Sequence, residues 1–199
     1  MKRKLHILLF LLALFCASAV SSDVMAQDYM EPSDRFTVND KDGKYQDKYG
    51  NERILSLFPE EWSIGYLASP SLSGQYGIFL IWDDDGPMLV YNRFKSNYSV
   101  SRRERSKKEE NIKVSSDTVR ISTEEADRLT GIITDAIDKA VKPNGLDRLV
   151  FDGTTYFFML PDKMAKTCSP EKNTNCYNLV EEFENLKKLF GDEPFMELS

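Results

Sequence analysis

The sequence predicts an α+β domain, in which an antiparallel β-sheet carries two α-helices packed on one face. Strand-like segments dominate the chain up to residue 121, and two stretches with apolar residues at helical spacing follow. A further predicted strand pair separates those two stretches. Strands that come first and helices that come later favour an α+β fold over one with alternating parallel strands and helices.

The N-terminus is predicted to be a secretory signal peptide covering residues 1–26. Residues 2–4 are basic, and residues 5–20 are almost entirely apolar. Small residues then precede the expected cleavage between Ala26 and Gln27. We therefore expect an exported protein, located in the periplasm or outside the cell.

Other readings of the N-terminus are weaker. A lipoprotein signal would be acylated at Cys16, but the two residues before it are large, where such signals have small ones. Cleavage after Ala19 is a second option. An uncleaved anchor would need an apolar run of about 20 residues, and this one is shorter. We expect one domain over residues 27–199, with residues 27–50 partly mobile and no transmembrane segment in the mature chain.

The mature chain is acidic and has no histidine. Removing the signal peptide takes away three basic residues and one acidic residue, so the net charge changes from −6 to about −8. This charge argues against nucleic-acid binding. His6 is the only histidine, and its loss excludes serine–histidine and cysteine–histidine catalysis and histidine metal sites. We assign no catalytic residue, no metal ligand and no cofactor.

Two cysteines, Cys168 and Cys176, remain after processing. An even pair in an exported chain is most simply a disulfide. It would close a ring of nine residues, which stabilises the fold by about 2.6 kcal/mol in the chain-entropy model. A reactive thiol is the alternative, although no histidine is present to activate it.

Strand candidates before the first helix are rich in apolar and β-branched residues, and they cover residues 35–38, 62–68, 76–82, 88–94, 112–114 and 119–121. Alternation would place Trp62, Ile64 and Tyr66 on one face. The acidic turn between residues 82 and 88 predicts that the two strands it joins form a hairpin.

The first helix is predicted to begin after Ser122, with Glu125 completing a capping box, and to end at Pro143. One stripe holds its apolar residues: Ala126, Leu129, Ile133, Ala136, Ile137 and Ala140. Gly131 interrupts this helix, either because packing there is close or because the site tolerates it.

The last helix is predicted to begin near Asn175 and to end near Phe190, with Gly191 as the residue that follows it. Its stripe is Cys176, Leu179, Val180, Phe183, Leu186 and Phe190. Glutamates lie early and lysines late, so we interpret Glu184 and Lys187 as charges that match the helix dipole.

Between the helices, Asp152-Gly153 predicts a type I′ turn joining residues 149–151 to residues 154–160 as a hairpin. A polar loop carrying both cysteines follows.

A pattern of short motifs runs through residues 122–190. It consists of Ser122-Thr123-Glu124-Glu125-Ala126, Gly145-Leu146-Asp147, Asp152-Gly153-x-x-Tyr156-x-Phe158, Ser169-Pro170 and Leu179-Val180. With this pattern, residues 122–190 resemble a group of small exported bacterial proteins of uncharacterised function. The resemblance implies a fold and an exported location, and it implies no activity.

Clustered carboxylates suggest two calcium sites, because calcium prefers oxygen ligands. Asp83, Asp84 and Asp85 precede Gly86, but they do not alternate with other residues and no glutamate follows at the twelfth position. A charged hairpin turn is favoured instead. Residues 39–43 fail the same test.

Two surfaces are weak binding candidates. Trp62 and Trp82, together with neighbouring tyrosines, could stack on carbohydrate, although aromatic residues on strands usually belong to the core. Arg102, Arg103 and Arg105 could contact phosphate groups or an acidic partner, but nearby glutamates dilute their charge.

A non-enzymatic binding or interaction domain of the cell envelope is the function we favour, with an envelope protein or a glycan as its partner. A carboxylate-dependent glycan hydrolase and a structural envelope protein are the alternatives. Glu60 and Glu61 adjoin Trp62, whereas glycosidase carboxylates face each other across a cleft. Two carboxylates converging in one apolar cleft would indicate the hydrolase. An exposed apolar patch would distinguish a binding domain from a structural protein.

Overall fold

The computed structural model describes residues 30–38, 45–49, 52–71, 73–94, 114–141 and 153–191. The strands are β1 (Glu31–Ser33), β2 (Phe36–Val38), β3 (Tyr45–Asp47), β4 (Ile64–Pro70), β5 (Tyr76–Asp83), β6 (Gly86–Phe94), β7 (Val114–Arg120), β8 (Thr154–Met159) and β9 (Met164–Cys168). The helices are α1 (Thr123–Asp138) and α2 (Asn175–Leu186), with short 3-10 helices at Glu52–Leu57 and Lys187–Phe190.

Seven strands form one antiparallel sheet in the order β1-β9-β8-β4-β5-β6-β7, and β2 pairs with β3 in a separate hairpin. Both α-helices contribute buried side chains to the core on one face of the large sheet. The predicted α+β fold with two helices on one face is therefore confirmed.

The helix-side core is built from alternate residues of the central strands. Tyr66 on β4, Tyr91 on β6 and Phe158 on β8 all point to this face, where they meet the apolar stripes of α1 and α2. Alternation along a strand sends the intervening residues to the other face.

The first helix begins as predicted after Ser122, but it ends at Asp138, before the predicted end at Pro143. The Ser122 hydroxyl accepts a hydrogen bond from the Glu125 backbone N–H at 3.1 Å, and the buried residues of α1 are Ala126, Leu129, Ile133 and Ile137. The Glu125 carboxylate does not complete the capping box. It accepts two hydrogen bonds from the Arg128 guanidinium, each 2.8 Å long.

The opposite face, called the back face here, has a second aromatic core under the β2–β3 hairpin and the first 3-10 helix. Trp62 packs in this core and not beside Ile64 and Tyr66, because it precedes the regular alternation of β4. Arg35 holds the hairpin in place through two hydrogen bonds of 3.2 Å to the buried carboxylate of Asp47. The strands β1 to β3 lie within residues 27–50, the stretch expected to be partly mobile.

Several strands differ from the sequence analysis, which does not predict β1 or β3. The predicted short strands flanking residues 115–117 are one strand, β7, which pairs with β6 along its whole length. The predicted polar loop begins with β9, which pairs with β8. Since β4 occupies the other edge of β8, the hairpin partner of β8 in the sheet is β9. Residues 149–152 of the predicted hairpin lie outside the described part of the chain.

The predicted disulfide is absent, and Cys168 and Cys176 are both thiols. Cys168 ends β9 opposite Thr155, whose hydroxyl lies 3.7 Å from its sulfur, on the back face of the sheet. Cys176 is buried in the core on the helix side. The sheet therefore lies between the two sulfur atoms. A disulfide would require these atoms to be bonded to each other.

Gly77 and Gly131 are expected to respond in opposite ways to substitution by alanine. A Cβ at Gly77 would lie 2.5 Å from Phe79 Cε2 and 3.3 Å from the carbonyl oxygen of Tyr66, so Gly77→Ala should lower the free energy of unfolding by about 1–3 kcal/mol. A Cβ at Gly131 would meet no atom within 4 Å, so Gly131→Ala should raise that free energy by about 0.5–1 kcal/mol. Urea denaturation of both variants measures the two changes in the free energy of unfolding. Changes of the same sign and size would contradict the prediction.

Among the described residues, no helix is both long enough and apolar enough to cross a membrane.

Candidate functional site

A buried ion pair lies at the end of α2, on the side that faces the sheet. Glu184 is 1% exposed and Lys187, at the start of the following 3-10 helix, is 3% exposed. Charged side chains are almost never buried to this degree unless they are paired. The pair is therefore the first place to look for chemistry.

Two tyrosine hydroxyls from neighbouring strands donate hydrogen bonds to one oxygen of Glu184. Tyr66 of β4 donates to Oε1 at 2.6 Å, and Tyr76 of β5 donates to the same atom at 2.7 Å. Lys187 Nζ lies 2.7 Å from Oε2 and 4.4 Å from the centre of the Tyr76 ring. We call Tyr66, Tyr76, Glu184 and Lys187 the Glu184 cluster.

The two oxygens of Glu184 are satisfied in different ways. Oε1 accepts the two tyrosine hydroxyls, whereas Oε2 accepts no aligned hydrogen bond. The contact between Oε2 and Lys187 is therefore an attraction between opposite charges at short range. The Tyr76 ring beside the ammonium adds a cation–π contact.

The tyrosines around Glu184 are held in their protonated form. Burial, and then the negative charge of Glu184, raises the pKa of Tyr66 well above its ordinary value of 10.0. The same two causes raise the pKa of Tyr76 strongly and the pKa of Tyr156 to about 12. These hydroxyls therefore stay protonated at neutral pH, and those of Tyr66 and Tyr76 donate to Glu184.

This arrangement suits a structural role better than acid–base catalysis. Tyr66, Tyr76 and Lys187 engage both oxygens of Glu184, and the carboxylate is closed to solvent. Glu60 and Glu61 are exposed and adjacent in sequence, so they do not form the facing pair that the hydrolase alternative needs.

The acidic turn between β5 and β6 is organised by Arg120 of β7. The Arg120 guanidinium donates to both oxygens of Asp83, at 2.5 and 2.6 Å, and to the carbonyl of Gly86 at 2.8 Å. Hydrogen bonding to Arg120 lowers the pKa of Asp83. The Arg120 guanidinium therefore occupies the position beside Asp83 in which the calcium hypothesis placed a metal ion. The described residues contain no group of three or more side chains suited to hold a metal.

The two tryptophans have different environments. Trp62 is 9% exposed, and in the back-face core it packs edge-to-face against Phe79 and at a tilt against Tyr45. Trp82 is 50% exposed, at the end of β5 next to the acidic turn. The predicted aromatic platform therefore does not form, and Trp82 alone remains as a surface candidate.

The other candidates fall outside the described residues. Arg102, Arg103 and Arg105 belong to this group, as do residues 39–43 of the second calcium test and the cleavage site at Ala26 and Gln27.

Sequence reasoning missed the Glu184 cluster because it treated the charges of α2 as matching the helix dipole. The signal was present in the spacing. Glu184 follows Val180 by four residues and Lys187 follows Phe183 by four, so both charges lie on the apolar stripe. Opposite charges three residues apart on such a stripe indicate a buried pair.

Comparison with protein-family models, with curated proteins and with solved structures gives no match. The resemblance to small exported bacterial proteins therefore stays a prediction.

Proposed function

We propose that this chain is an exported, non-enzymatic binding domain of the cell envelope, and that it binds through the tip of the β5–β6 hairpin. The observation that carries the proposal is the half-exposed indole of Trp82 at that tip. Tryptophan is enriched among the residues that dominate binding energy, because a large rigid ring gives contact area at a small entropic cost.

The hairpin tip is rigid enough to present that ring. Arg120 clamps Asp83 and the Gly86 carbonyl, and the Asp83 carboxylate also accepts the backbone N–H of Asp85 at 2.9 Å. Gly86 has a φ of 109°, a conformation that favours glycine and closes the turn. A pre-organised site loses less conformational entropy on binding.

The chemistry of the tip fits an envelope glycan or a protein of the envelope. A sugar ring can stack on the indole while exposed carboxylates accept its hydroxyl groups, and the Asp85 side chain is 88% exposed. A protein partner would instead cover the indole in a pocket of its own. Export rests on residues 1–26, which lie outside the described part of the chain.

Fluorescence of Trp82 tests the proposal. In a Trp62→Phe background Trp82 is the only tryptophan, so its emission reports directly on the hairpin tip. We expect soluble peptidoglycan fragments or purified envelope polysaccharide, neither of which contains tryptophan, to change that emission in a saturable way. Trp82→Ala in the natural chain should weaken binding at least tenfold, which corresponds to about 1.4 kcal/mol.

Tyr49→Ala is the matched control, because Tyr49 is 74% exposed and lies in the β2–β3 layer on the back face. The Tyr49→Ala variant should bind the same ligand with the affinity of the natural chain. Binding that survives Trp82→Ala, or that Tyr49→Ala weakens equally, would remove the hairpin tip as the binding site.

A further inference from the structure

We propose that the Glu184 cluster is a register lock, which fixes α2 at one position along the sheet and contributes uniqueness of docking rather than stability. The inference concerns how the C-terminal helix is held, and it is independent of the proposed binding function.

Apolar contacts alone specify the position of α2 weakly. Its buried residues Val180, Phe183 and Leu186 face a broad apolar surface in which aromatic rings are frequent. The Tyr66 ring stacks on Phe183 at 5.2 Å and on Tyr156 at 6.0 Å, so similar rings lie side by side. Hydrophobic attraction has no direction, and a helix shifted by one turn would still bury much of its stripe.

The polar contacts specify one position only. Tyr66 and Tyr76 lie on adjacent strands, and both hydroxyls converge on the same oxygen of Glu184, at 2.6 and 2.7 Å. Moving α2 by one turn displaces that oxygen by about 5.4 Å, which breaks both hydrogen bonds.

The first helix provides an internal comparison. The buried residues of α1 are all apolar, and its polar contacts to neighbouring elements involve exposed side chains such as Arg128 and Asp138. The two helices share one core, yet among the residues that the structure describes only Glu184 of α2 and Lys187, the residue directly after α2, bring charges to it. A property that depends on the buried charges should therefore change in α2 and not in α1.

The test uses an apolar variant carrying Tyr66→Phe, Tyr76→Phe, Glu184→Leu and Lys187→Met. It removes every polar atom of the cluster while keeping side-chain volumes close to the natural ones. We expect the apolar variant to keep the midpoint of urea denaturation or to raise it, since hydrophobic replacements of a buried ion pair are often neutral or stabilising.

The docking of α2 should nevertheless become less defined. Backbone amides of α2 should exchange with solvent deuterium at least tenfold faster than in the natural chain, whereas amides of α1 should be unchanged. Unchanged exchange in α2, with a single sharp set of its NMR signals, would overturn the proposal. Failure of the apolar variant to fold would overturn it too, since the cluster would then supply stability.

A second variant separates the hydrogen bonds from the charges. Glu184→Gln with Lys187→Met keeps an oxygen that can accept both tyrosine hydroxyls but removes the ion pair. We expect exchange in its α2 within threefold of the natural chain. Exchange as fast as in the apolar variant would show that the tyrosine hydroxyls do not set the register.

Discussion

Glu184→Leu alone should lower the free energy of unfolding by about 3–5 kcal/mol, because it leaves the Lys187 ammonium buried without its counter-charge. Two tyrosine hydroxyls would lose their acceptor at the same time, and Lys187 is only 3% exposed. Urea denaturation followed by circular dichroism measures the change through the midpoint at constant slope.

Glu182→Leu is the matched control, since it makes the same substitution two residues earlier on the same helix. The Glu182 carboxylate pairs with Arg128 at the surface, and its side chain is 39% exposed. An exposed pair of this kind contributes about 0–1 kcal/mol. If the two variants were destabilised equally, burial of Glu184 would not be the cause.

The protein should unfold cooperatively in alkali as its buried tyrosines are forced to ionise. The pKa values of Tyr66, Tyr76 and Tyr156 are raised in the folded state, the last to about 12, whereas an unfolded tyrosine titrates near 10.0. Their contribution to stability is complete below pH 10. It falls as the pH rises further, because the unfolded chain releases protons that the folded chain keeps.

The slope of this loss is about 1.4 kcal/mol per pH unit for each tyrosine, so three tyrosines remove about 4 kcal/mol per unit above their unfolded pKa. The part of the tyrosinate absorbance that comes from the three buried tyrosines should therefore change together with the circular dichroism in one transition, separate from the ionisation of exposed tyrosines such as Tyr49. Tyr49→Phe, a substitution at an exposed position, should not change the pH at the midpoint of alkaline unfolding. Gradual ionisation of all tyrosines with the fold intact would contradict the prediction.

The helices could be predicted because their signals are local. Ser122 caps α1 and Gly191 follows the last 3-10 helix with a φ of 76°, both as the sequence indicates. Capping and a period of 3.6 residues depend on neighbours within one or two turns, so they can be recognised without knowing the partner. The β5–β6 hairpin was equally local, because one short turn joins its strands.

The strands β7 and β9 could not be predicted as whole elements, because both contain polar residues where a strand pattern would need apolar ones. The middle of β7 is polar, with Ser116 and Thr118 exposed, because this strand lies at the edge of the sheet. β9 carries Lys166 and Thr167 between β8 and the three-residue strand β1. Strand propensity in such positions is decided by the neighbouring strands, which the local sequence does not reveal.

The candidate sites divide in the same way. Trp82 was identified from composition, but only the fold shows that it is exposed while Trp62 is buried. Glu184 and Lys187 could be found only if a charge on an apolar stripe is treated as a possible core residue. Their partners Tyr66 and Tyr76 lie on β4 and β5, more than 100 residues earlier, and no local pattern links them.

The strand order has a consequence for when the chain can fold. Tyr66 of β4 pairs with Phe158 of β8, about 90 residues later, and β1 near the start of the fold pairs with β9. Until the C-terminal third has been synthesised, β4 has an unpaired edge and the sheet has no other half. Such long-range pairing makes folding slow. A nascent chain of this topology therefore cannot complete its sheet during most of its translation, and the central strand β4 keeps an exposed edge until the last third of the chain is available.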